Sequence, residues 1–110
     1  MSDFMRLWSD IDKRHTDAKD SQGAIPELFS LYASLDASER DQANSDLFDV
    51  LRHGTEGQRY DALAIINEFR VADALPALRE LAVRLQIEDS PGAPFELAKV
   101  DRIIARLKPK

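Results

Sequence analysis

The chain has 110 residues, 44% hydrophobic and 32% charged, which is the balance of a soluble globular protein long enough for one domain, residues 1–110, with a continuous core. A formal net charge of −5 argues against nucleic acid, whose phosphates need clustered Lys and Arg to displace their counterions, and favours a basic protein as partner. With no cysteine there is neither a disulfide nor a thiolate metal site, and the early acids of MSDFMRLWSD leave no apolar run for a signal or membrane segment, so the expected location is the cytoplasm.

Six helices and no strand are expected. The first, about 3–19, places Phe4, Leu7, Trp8 and Ile11 on one face. Its acids Asp3, Asp10 and Asp17 alternate with Arg6, Lys13 and Arg14 on a solvated face. The second starts near Pro26, a residue tolerated in a first turn, and carries Ile25, Leu28, Phe29, Tyr32 and Leu35 inward. Asp36 with Glu39 three residues on forms a capping box for the third, whose core side is Ala43, Leu47, Val50 and Leu51. Gly54 is expected to end it in the left-handed conformation. Thr55 with Gln58 opens the fourth, which turns Ala62, Leu63, Ile65, Ile66 and Phe69 inward and ends near Arg70. Asp73 is placed to cap the fifth, with Pro76 in its first turn and Leu75, Leu78, Leu81, Ala82 and Leu85 facing the core. The loop EDSPGAP disfavours helix, and the sixth helix, about 94–107, follows with Leu97, Val100, Ile103, Ile104 and Leu107.

A shift of 34 residues brings these apolar positions into register: Leu28 falls on Ala62, Tyr32 on Ile66, Ala43 on Ala77, Leu47 on Leu81 and Leu51 on Leu85. Such a period marks a helical-hairpin repeat, in which neighbouring units bury jointly a face that none can bury alone. The stretch QRYDALAIINEFRVADALPALRELAVRL, within residues 58–86, resembles a HEAT-like repeat, and residues 25–53 form a fainter copy with Gln42 where Pro76 sits. Helices 3–19 and 94–107 flank the two units. The resemblance implies an all-α fold of antiparallel hairpins stacked as a short α-α superhelix. The period also fits tetratricopeptide repeats, but their Trp, Gly and Tyr positions are missing.

No catalytic, cofactor or metal site emerges. His15 and His53 stand apart from any ligand-spaced cluster, His53 suiting the negative end of a helix dipole, and there is neither a glycine-rich phosphate loop nor a nucleophile elbow. An enzyme is not expected, and no cofactor is implied.

The surface carries the functional reading. Residues 1–53 hold 11 acids against 6 Lys and Arg, whereas residues 54–110 hold 9 of each. On the third helix Gln42, Asp46 and Asp49 make a stripe beside the core face, with Glu39 at its edge. The 34-residue register places Asp73 and Glu80 where Glu39 and Asp46 stand. This ridge is either a solvated face or a docking surface for a basic protein. Phe48 and Tyr60 lie off their helix cores, Phe48 suiting burial and Tyr60 suiting either burial or an interface, and the loop from Glu88 to Pro94 is, with Tyr60, the alternative interface. In size and composition the chain is similar to the small cytosolic immunity proteins that protect bacteria from polymorphic or contact-dependent toxins. That resemblance implies a non-catalytic protein that binds and neutralises one basic toxin domain. A HEAT-like adaptor or regulatory subunit is the other expectation.

Overall fold

A computed structural model describes residues 3–17 and 23–108. It is all-α: α1 (Asp3–Asp17), α2 (Ala24–Ala33), α3 (Ala37–His53), α4 (Glu56–Phe69), a 3-10 turn (Ala72–Ala74), α5 (Leu75–Ile87) and α6 (Ala93–Leu107), with no strand among the described residues. Residues 18 and 19, expected to continue the first helix, lie outside that description.

Local chemistry accounts for most of the boundaries. Glu39 N–H donates to Asp36 Oδ1 at 2.8 Å and Asp36 N–H to Glu39 Oε1 at 3.0 Å, closing the capping box that starts α3. Thr55 and Gln58 do the same for α4, at 3.2 and 2.9 Å. Pro76 sits in the first turn of α5, where its missing N–H leaves no hydrogen bond unmade.

Two helix ends differ from expectation. Gly54 does not adopt a positive φ; the left-handed residue is Arg70, φ 49°, which ends α4. Glycine is needed at 54 for space, because a Cβ there would lie 2.7 Å from the Val50 carbonyl oxygen and 2.9 Å from Val50 Cγ1. Asp73 caps nothing: it falls inside the 3-10 turn, and the residue before α5 is Ala74, which has no capping side chain. The turn Ala72–Ala74 carries the chain into α5 without needing that cap.

The chain divides into two compact units, Met1–Leu47 and Phe48–Lys110. In the first, α1 packs on α2, and its core is aromatic. Phe4 lies 5.7 Å from Trp8 and edge-on to Tyr32 at 6.4 Å, and all three are buried. Leu7, placed on that face by its spacing, is instead 40% exposed, because Phe4, Trp8 and Ile11 take the buried stripe. In the second unit α5 packs on α6 over an aliphatic core of Leu63, Ile65, Ile66, Leu78, Leu81 and Val100. Burial follows the 34-residue register: Leu28 and Ala62, Tyr32 and Ile66, Ala43 and Ala77, Leu47 and Leu81, and Leu51 and Leu85 are buried in every case.

Arginines close several helix ends, where the last carbonyls have no partner within the helix. Arg40 donates to Tyr32 O at 3.1 Å and Ala33 O at 3.3 Å at the end of α2, with its guanidinium 4.8 Å from the Tyr32 ring centre. Arg84 donates to Arg52 O at 2.7 Å and to Leu51 O at the end of α3.

Candidate functional site

The first unit presents a groove of about 480 Å³ lined by Asp3, Phe4 and Leu7 of α1, by Leu35, and by Ser38, Glu39 and Gln42 of α3. Its apolar side comes from the partly exposed Leu7, and its acids are Asp3 and Glu39. Neither acid is held by a strong partner. Asp3 pairs with Arg6 at 3.1 Å, both side chains largely exposed, and Glu39 receives the Asp36 N–H. Exposed pairs of this kind contribute about 0 to 1 kcal/mol, so an incoming guanidinium or ammonium can compete for either carboxylate.

The second unit presents a larger groove, about 650 Å³, built by α4 and the start of α6. Tyr60 and Leu63 come from α4 and Phe95 and Lys99 from α6. Phe95 is 80% exposed and Tyr60 56%. Lys99 Nζ stands 3.9 Å from the centre of the Tyr60 ring, a cation–π contact. Burial is the main cause that lowers the Lys99 pKa; Arg102 adds to it, and Glu96 opposes it. One wall is fixed by Arg59, which grips Glu96 through Nε and Nη2 at 2.6 and 2.9 Å and also donates to the Gly54 carbonyl at 3.1 Å. Both side chains of this pair are nearly buried, and the hydrogen bond from Glu96 is the main cause that raises the Arg59 pKa.

The residues expected to bind a partner fall in different places. Glu39 and Gln42 face the groove of the first unit, and Gln42 reaches Asp46 at 3.4 Å. Asp46 is half-buried and Asp49 exposed, farther along α3. Asp73 is exposed in the 3-10 turn. Glu80 is engaged by Arg52 Nε at 2.9 Å, an exposed pair within the second unit. Tyr60 lines the second groove, whereas Phe48 is half-buried.

Sequence reasoning missed Phe95 and Lys99. A signal existed for Phe95, which lies two residues before Leu97 and so points off the core stripe of α6. None existed for Arg59 and Glu96, which are 37 positions apart.

Among the described residues no group of three or more His, Asp or Glu could hold a metal ion, and no helix is long and apolar enough to cross a membrane. No protein-family model, curated protein or solved structure matches the chain.

Proposed function

We propose that the protein is a non-catalytic binding module that docks a basic protein on its first unit, and that the partner is a bacterial toxin domain which it neutralises as an immunity protein. The observation that carries this reading is the placement of charge. Residues 1–47 hold 10 acids against 5 Lys and Arg, the entire excess of −5, and residues 48–110 hold 10 of each. The unit that carries the excess also carries a groove with an exposed leucine and two weakly held carboxylates. Apolar contact on Leu7 combined with Asp3 and Glu39 suits the stem and head of a partner's Lys or Arg. A field of one sign hastens encounter with a basic surface and slows it with an acidic one.

The test is co-expression. The open reading frame directly upstream of this one in its genome is expressed alone and together with this chain, and the two purified products are then mixed in a calorimeter at low and high salt. The reading expects arrested growth from the first alone, rescue by this chain, and a complex that salt weakens. Growth arrest that this chain fails to relieve, or a neighbour that neither harms cells nor binds, contradicts it. A HEAT-like adaptor, the other reading, has no observation of its own in its favour.

A further inference from the structure

The groove of the second unit holds a cation with which no carboxylate forms an ion pair. Lys99 has no carboxylate within ion-pair distance among the described residues, and Glu96, one turn before it, is bound through both oxygens by Arg59. The ammonium is instead set over the face of Tyr60, which attracts positive charge but accepts no strong hydrogen bond, so its N–H donors stay open toward the groove. Around it are Tyr60, Leu63 and Phe95, and two of those large apolar surfaces are exposed. Scattered exposed side chains need no explanation, but two aromatics sharing one groove with an unpaired, partly desolvated cation do.

We propose that this groove binds a small organic monocarboxylate with an aromatic body, its carboxylate on Lys99 Nζ and its ring against Tyr60 and Phe95. The volume, about 650 Å³, lies within the range of small-molecule sites. One positive charge answers one negative charge. A phosphate, which carries nearly two, would meet a single Lys and the carboxylate of Glu56, which also lines the groove. An uncharged aromatic would leave the ammonium as poorly satisfied as before.

The probe is 4-phenylbutyrate, with 4-phenylbutyramide as its uncharged match, each titrated into the ¹⁵N-labelled full chain. The acid should shift the amides of Gly57, Tyr60, Phe95 and Lys99 and bind about tenfold more tightly than the amide, the worth of one charge-assisted hydrogen bond. Lys99→Met keeps the apolar stem and should abolish that preference, whereas Glu56→Gln should strengthen binding of the acid. Phe95→Ala, at an exposed position that leaves the core intact, should weaken both probes. Equal affinity of acid and amide, a preference that survives Lys99→Met, or shifts confined to the first unit would overturn the proposal. Sedimentation that shows a dimer of the free chain, lost in Phe95→Ala, would assign the groove to a second copy and overturn it as well.

Discussion

The two units solve the same packing problem with different chemistry. The first buries Phe4, Trp8 and Tyr32 and ties its core to polar groups: Tyr32 O–H donates to Asn44 Oδ1 at 2.6 Å, and Arg40 lies over the Tyr32 ring. Burial outweighs the opposing effects of Arg40 and Asn44 and raises the Tyr32 pKa. The second unit buries aliphatic side chains, leaves Tyr60 and Phe95 in the open, and fixes α4 to α6 with one nearly buried ion pair. Charge divides the same way, with all of the excess on the aromatic unit. The lesson is that a shared apolar register fixes where side chains go inward and says little about what the outward face is for.

The comparison breaks first at the core. Leu47→Ala and Leu81→Ala occupy one register position in the two units, and each should cost about 2 to 5 kcal/mol in urea denaturation. A near-zero cost at either site would show that the shared register is not a shared core. Glu96→Gln removes one member of the pair that joins α4 to α6 and leaves the Arg59 guanidinium half-satisfied, at a cost of about 2 to 3 kcal/mol. Replacing both residues together, Arg59→Met with Glu96→Leu, should cost less than Glu96→Gln alone, and a larger cost would mean that the pair is more than a mutual necessity. Tyr32→Phe strips Asn44 of its donor and should cost about 1 to 2 kcal/mol by thermal or urea unfolding, whereas Tyr60→Phe should change stability by less than about 0.5 kcal/mol.

The smallest effect is one of pH. Glu27 accepts from Arg14 at 2.8 Å and meets His15 Nε2 at 2.8 Å, and the His15 hydrogen bond is the first cause of its lowered pKa. A carboxylate whose folded pKa is depressed stabilises the fold above its ordinary value of 4.5, and that stabilisation is lost as pH falls through the lowered folded value. Wild type should therefore exceed Glu27→Gln in stability at neutral pH, with the gap closing in acid. A gap that is constant with pH would remove the carboxylate's charge from the account.

Helix number, both capping boxes and most of the buried positions were legible because they follow from local spacing and from hydrogen bonds between residues three apart. Gly54 and Asp73 were misread because the residue type fitted a standard role, whereas Gly54 is there for space beside Val50 and Asp73 falls inside the 3-10 turn that already leads into α5. Burial of Leu7 failed because Phe4, Trp8 and Ile11 take the buried stripe of α1 and leave its flank exposed. The grooves were less legible. Glu39, Gln42 and Tyr60 were found as residues off the core stripe, but what each one faces depends on side chains as distant in sequence as Asp3 and Lys99. The bonds of Arg84 to the last carbonyls of α3 were not legible either, because they depend on contacts 32 and 33 residues away.

The measurement that tests the central claim most directly is the association rate with the basic partner at several salt concentrations, for wild type and for Asp3→Lys with Glu39→Gln, the two acids of the first unit's groove. Neither residue lies in the fully buried core, so helix content should hold. The account predicts that association of wild type slows steeply with added salt and that the double variant slows it about tenfold or more at low salt. A double variant that associates as fast as wild type at low salt would contradict it.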